Sequence, residues 1–223
     1  MSWNKIMPGV YESRPIEIPP AEGYVDRKTE ELAKMSNIPY STMRTHRFSV
    51  WSRKASDEAW WTRVLEYSAG YYGHPFLTFL GTIGAGKTHI ALSIAWEWLA
   101  RHKTVLYYQV EGLLDALRRG FSSWQQGNPD GYQSIITFTQ TASLLVLDDL
   151  GAQNVTDWST SKLDEIIDYR YIYRRPLVVT TKLTLDQIQP GIADRLREGT
   201  LIQLSGPSYR KTKHDEGEGV VKG

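Results

Sequence analysis

Eight residues, Gly81-Thr-Ile-Gly-Ala-Gly-Lys87-Thr88, constrain this chain more than any other segment. Their spacing is G-x-x-x-x-G-K-[ST]. Glycines are needed there because backbone amides must converge on phosphate oxygens with no side chains in the way. An apolar run, Phe76 to Leu80, leads into the loop, and Ile90, Ile94 and Trp98 with Ala91 and Ala95 follow it at helical spacing. The helix that begins there offers its positive end to the same anion. Lys87 is placed to reach the β- and γ-phosphates of a nucleotide, and the Thr88 hydroxyl to complete a magnesium shell. Gly81, Thr82, Gly84, Ala85 and Gly86 make up the rest of the expected cradle, and His89 follows it, either as a further cradle residue or as a packing one, the more ordinary role. A glycine turn that merely links strand to helix is the bland alternative, and the flanking strand and helix argue against it.

Four further apolar runs, Val105 to Val110, Leu144 to Leu147, Leu177 to Thr181 and Leu201 to Leu204, have the length and composition of strands buried on both faces. Longer amphipathic segments lie between them, as at Leu163, Ile166, Ile167, Arg170 and Tyr171. This alternation predicts an α/β fold, a five-stranded mainly parallel sheet with helices on both faces. A helix is also expected over Asp57 to Ala69, with Trp60, Trp61, Val64, Leu65 and Ser68 available for one face. Residues 1–37 are expected to form an extended arm, because Pro8, Pro15, Pro19 and Pro20 break any helix. Only the stretch around Thr29 to Met35 can add a helical turn or two. The folded domain is then 38–211, and 212–223 is a polar tail expected to be disordered.

The second chemical signal is Leu144-Leu-Val-Leu-Asp148-Asp149, an apolar strand ending in two acids. The carboxyl end of a sheet strand faces the crevice where open α/β folds bind ligands. Asp148 is expected to hold magnesium and Asp149 to polarise an attacking water. A paired acid after a strand is otherwise a solvated turn; its place about sixty residues after the phosphate loop favours the chemical reading.

Composition excludes several classes. The 26 lysines and arginines against 25 aspartates and glutamates leave a net charge of +1, so any nucleic-acid contact must be local. There are no cysteines, hence no disulfides, thiol catalysis or cysteine-bound zinc. His46, His74, His102 and His214 lack metal-ligand spacing. No run approaches the roughly 18 apolar residues of a membrane span, and the start lacks a signal core, so a soluble cytoplasmic protein without a membrane partner is expected.

Residues 81–95, the Asp-Asp strand and TDWSTSKLDEIIDYRY (Thr156 to Tyr171) resemble the DnaC/DnaI helicase loaders and the related IstB transposition ATPases. Ile38-Pro-Tyr40 and Asp194-Arg-Leu-Arg197 leading to Gly206-Pro-Ser-Tyr-Arg210 agree, so the likeness covers about residues 38 to 212. It implies an AAA+ ATPase core without a large helical lid. ATP and Mg2+ are then held between neighbouring subunits of a ring or spiral. Arg195 matches the family's arginine finger, which stabilises charge on the transferring phosphoryl group. Arg210 matches the sensor 2 position at the γ-phosphate. One position departs from the pattern: Thr180-Thr181-Lys182 stands where the family has a small hydroxyl residue followed by the sensor 1 asparagine. Lys182 can donate but cannot accept a hydrogen bond. Either it binds the γ-phosphate and slows hydrolysis, or Thr181 does the sensing while Lys182 points to solvent.

In the related loaders, helices after the second strand help to grip single-stranded DNA. Here Arg118, Arg119, Phe121 and Trp124 combine cations with aromatics, as a single strand requires, although core packing and an exposed basic face account for them equally well. Arg170, Arg174 and Arg175 form a second basic group, expected at a subunit interface. Trp3 stands alone in the arm, as either a partner anchor or a dangling side chain. The leading expectation is an ATP-dependent helicase-loading factor that self-associates on single-stranded DNA and engages a replicative helicase. An IstB-like role on duplex DNA with a transposase and a slowly hydrolysing, ATP-switched scaffold are the alternatives.

Overall fold

The structure is a computed structural model that describes residues 26–39, 41–46, 48, 59–125, 130–152 and 156–205. Five strands form one sheet: β1 (Phe76–Gly81), β2 (Val105–Gln109), β3 (Leu144–Leu150), β4 (Leu177–Thr181) and β5 (Thr200–Leu204). Their order is β2-β3-β4-β1-β5, and every pairing is parallel, so the sheet is wholly rather than mainly parallel. Parallel strands need long crossovers, and helices supply them.

Helix α1 (Arg27–Met35), the short α2 (Thr42–Thr45), α3 (Ala59–Ser68) and α4 (Lys87–Ala100) precede or follow β1. Helices α5 (Val110–Gln125) and α6 (Asp130–Thr141) join β2 to β3. Helix α7 (Asp157–Ile172) joins β3 to β4, and α8 (Pro190–Arg197) joins β4 to β5. Side chains alternate along each strand, so one sheet face buries Leu77, Phe79, Val146 and Val178 against α1, α3 and α4. The other face buries Phe76, Leu145, Leu147 and Val179 against α5, α6, α7 and α8. Both faces are covered, which is why the strand sequences are almost continuously apolar.

Two elements depart from expectation. The stretch expected to add a turn or two to an extended arm is a nine-residue helix docked on the body. Thr29 and Ala33 of α1 are buried, the Asp26 side chain caps its first turn, and the Tyr107 amide donates to Ser36 O at 2.8 Å. The chain therefore joins the folded body by residue 26. Helix α6 carries no strong sequence signal of its own and is formed by packing against α5, where Phe121 meets Tyr132 at a ring separation of 5.8 Å. Most of the arm, the tail from 212 and Arg210 lie outside the described residues. No helix among those described is long and apolar enough to cross a membrane.

Candidate functional site

The phosphate loop begins where β1 ends. Gly81, Gly84 and Gly86 all have positive φ, which side-chain-bearing residues rarely adopt. At Gly81 the demand is also steric: a Cβ there would lie 2.1 Å from the Leu204 carbonyl oxygen on β5. Gly86 is the N-cap of α4, so the first amides of that helix are free of side-chain caps and open to an anion. Thr82 and Ile83 are exposed at the tip, while Ala85 packs against the core.

Lys87 turns back over this loop. Its Nζ donates to Gly81 O and Thr82 O, both at 2.8 Å. Burial pushes the ammonium below the usual lysine range; Asp149 and Asp148 oppose that shift, and Lys182 adds to it. Thr88 donates its hydroxyl to Asp148 Oδ1 at 2.9 Å, the latter residue projecting from β3. The Asp148 carboxylate is 2% exposed and accepts two more hydroxyls, Tyr107 from β2 at 2.8 Å and Thr180 from β4 at 2.6 Å. Burial, and then the neighbouring Asp148 charge, push the Tyr107 phenol far up, so it remains a donor. Asp149 is half-buried in the left-handed conformation (φ 56°), and its amide donates to Thr180 Oγ1 at 2.9 Å.

This donor set fits magnesium better than a metal held by protein alone. Among the described residues no three of His, Cys, Asp and Glu cluster as a metal site. One buried carboxylate and one adjacent hydroxyl beside a phosphate cradle is what a magnesium ion shared with phosphate oxygens uses. Thr88 and Asp148 are the residues that would hold it.

The remaining sequence-predicted positions fall into three groups. Thr181 is fully buried, donates to Leu150 O at 2.7 Å and accepts from the Leu183 amide at 3.0 Å, so its hydroxyl is engaged in joining β4 to β3. Lys182 is exposed beside it. His89 is half-buried with its ring stacked on His46, centroids 4.7 Å apart. Burial lowers the His46 pKa. Arg195 on α8 is held within its own chain: Nη1 donates to Asp164 Oδ1 at 2.9 Å and Gly191 O at 2.8 Å, and Nη2 to Asp168 Oδ1.

On the nucleic-acid side, Arg118 pairs with Asp115 at 2.8 Å and lies 5.0 Å over the Trp158 ring. Arg119 is exposed, Phe121 is half-buried between α5 and α6, and Trp124 lies in the last turn of α5 with its side chain outside the described residues. Of the basic group at the end of α7, Arg174 is exposed and Arg175 half-buried, and only Arg170 departs from expectation. Arg170 is fully buried and donates to the carbonyls of Thr139, Gln140, Ala142 and Pro176, which leaves it nothing to offer a subunit interface.

Sequence reasoning does not single out Tyr107, and it names Thr180 only within Thr180-Thr181-Lys182, with no role of its own. Tyr107 lies in an apolar run, and only the register Tyr107↔Val146 and Gln109↔Asp148 brings its phenol to the acid. Thr180 did carry a signal, as the first polar residue after the apolar run of β4 and part of the segment compared with the family.

Several known proteins are similar to this chain. The chain is 28% identical over 195 residues to an insertion sequence IS5376 putative ATP-binding protein of Geobacillus stearothermophilus, covering 82% of this chain and 74% of that one. It is 26% identical over 138 residues to the replicative helicase loader DnaC of Escherichia coli K12, covering 59% and 55%. It is 29% identical over 120 residues to the YqaM protein of Bacillus subtilis, covering 50% and 35%. The chain thus spans 35% to 55% of the length of the latter two relatives. Among solved structures, that of the DnaC helicase loader superposes with a TM-score of 0.60 at 18% identity, covering 72% of this chain and 97% of that one. AMPPCP-bound DnaA from Aquifex aeolicus gives 0.60 at 15% identity, covering 80% and 57%. At these identities the structures share the fold, a parallel α/β sheet of AAA+ type, and the described residues of this chain include no large helical lid. The model of the IstB-like ATP binding proteins matches residues 26–216, and the chain belongs to that ATP-binding family.

Proposed function

We propose that this protein is an ATPase that assembles through ATP-bridged interfaces on single-stranded DNA and delivers or opens a replicative helicase. One observation carries the ATPase part: Lys87, Thr88 and Asp148 converge at a glycine loop beside Asp149. Binding ATP draws Lys87 from the Gly81 and Thr82 carbonyls to the β- and γ-phosphates, while the amides at the start of α4 hold the remaining oxygens. Thr88 and Asp148 would hold magnesium, which would supply charge neutralisation on the phosphates. Asp149 orients and polarises the attacking water. Arg195 exchanges Asp164 and Asp168 for the phosphoryl group of a neighbouring subunit, Arg210 contacts the γ-phosphate of its own, and Lys182 adds a second cation at the same edge. Arg118 and Arg119, with Phe121 and Trp124 nearby, are the candidate contacts to a single strand.

The loader reading draws support from the DnaC relative, a replicative helicase loader, and a place in the cytoplasm accords with such a role. A transposition role on duplex DNA with a transposase is the second reading, favoured by the insertion-sequence relative, which matches 82% of this chain. Fluorescence anisotropy with labelled single-stranded and duplex DNA, each with ATP, ADP or no nucleotide, separates them. The loader reading predicts tighter single-strand binding with ATP that Lys87→Ala abolishes. A duplex preference moves the assignment to transposition. No ATP-dependent binding of either form overturns both and leaves an ATP-switched scaffold.

A further inference from the structure

The protein treats its two acids unequally. Asp148 receives hydroxyl donors from three elements, Thr88 on α4, Tyr107 on β2 and Thr180 on β4. Asp149 is held through its main chain instead, by the bond from its amide to Thr180 Oγ1. A threonine hydroxyl has one proton and two lone pairs. Here the proton goes to Asp148 Oδ1 and a lone pair accepts from Asp149, so one oxygen joins the two residues.

The strand pairing explains why such a bond is needed. The β3–β4 register shifts between Leu147 and Leu150, which takes Asp148 and Asp149 out of the regular ladder. Asp149 there adopts φ 56°, a left-handed conformation that aspartate reaches more readily than most side-chain-bearing residues and that its surroundings hold in place here. Thr181 secures the far side of the shift through Leu150 O, and Thr180 secures the acids themselves. Tyr107 makes a useful contrast, since it bonds Asp148 alone.

We propose that Thr180 is a positioning residue for ATP hydrolysis, its hydroxyl locking the metal-binding acid and the water-polarising acid into one relative geometry. The proposal rests on the nucleotide reading above. Thr180→Val keeps the side-chain shape and removes the hydroxyl, Thr180→Ser keeps the hydroxyl, and Tyr107→Phe removes a donor from Asp148 without touching Asp149. Three quantities are compared: affinity for a fluorescent ATP analogue with magnesium and with a chelator, ATP turnover, and amide exchange at residues 148–151.

In Thr180→Val, chelator-phase nucleotide affinity stays within about threefold of wild type while kcat falls about 100-fold, the cost of misplacing a reacting group by an ångström. Exchange at 148–151 accelerates. Thr180→Ser restores both, and Tyr107→Phe loses less turnover without the change in exchange. Wild-type turnover in Thr180→Val overturns the proposal, as do a Thr180→Ser variant as impaired as Val and a Tyr107→Phe variant equal to it. If the wild type does not bind the analogue, the nucleotide reading fails. If it binds without turnover, only the hydrolytic reading fails. In both cases exchange at 148–151 still decides whether Thr180 holds the acids. Should Thr180→Val not fold, Thr180→Ala carries the same comparisons.

Discussion

Arg170 shows how much of this protein rests on a single side chain with no carboxylate partner. It is fully buried, and its guanidinium donates to Thr139 O at 2.7 Å, Gln140 O at 3.2 Å, Ala142 O at 3.0 Å and Pro176 O. Thr139 and Gln140 belong to the last turn of α6 and Ala142 follows it directly, where helical carbonyls lack partners and the helix presents negative charge. Burial pushes the guanidinium down to about 9, so it stays cationic at neutral pH. Replacing it with Met fills much of the volume but strands several buried carbonyls. We expect Arg170→Met to destabilise the fold by about 3 kcal/mol or more, read from urea denaturation midpoints. A loss below about 1 kcal/mol would mean that water reaches those carbonyls. The same residue marks a limit of sequence reading. Three arginines within six positions resemble an exposed basic patch. Arg170 turns inward because α6 ends beside it, and α6 has no sequence signal strong enough to foretell that end.

Elements were legible where their pattern has one cause. All five strands lie on the apolar runs: β1, β3 and β4 are buried along almost their whole length, whereas the edge strand β5 is buried only at Ile202 and Leu204 and keeps Gln203 exposed. The glycine loop and the acids of β3 were legible for the same reason: chemistry fixes their residue types. Helix α1 was not, because its order comes from remote partners. Thr29 and Ala33 pack against the body, and the Asp26 carboxylate, besides capping Thr29 N at 2.8 Å, accepts from His102 Nε2 at 2.7 Å. The cap and the neighbouring histidine hold the Asp26 carboxyl at about 2, below its ordinary 3.8. A depressed carboxyl stabilises the folded state fully above its unfolded value, and that contribution fades as pH falls from about 3.8 through about 2. Wild type should therefore melt higher than Asp26→Asn at neutral pH, with the gap closing across that acid window. A gap that is independent of pH would detach the stabilisation from the charge of Asp26.

For the whole molecule, the proposed assembly turns on Arg195, which the chain holds in contacts of its own. Arg195 is 23% exposed and spends its donors on Asp164, Asp168 and Gly191 of its own chain. A guanidinium committed to two carboxylates stabilises a neighbour's phosphoryl group only if assembly offers a stronger anion at the right place. The polyphosphate of ATP is such an anion, so the ion pairs with α7 should oppose assembly without nucleotide and yield when it is bound. Two defective variants test this division of labour. Arg195→Ala keeps an intact phosphate loop and should lower turnover by about 10³-fold while leaving ATP binding in place. Lys87→Ala loses its own nucleotide but still carries Arg195. Neither variant should turn over ATP alone, yet a mixture should, because an intact loop on one subunit then meets an intact arginine on the next. Recovery should rise with total protein concentration, since it depends on contact between chains. A mixture as inactive as its components would confine Arg195 to the α7–α8 junction of its own subunit.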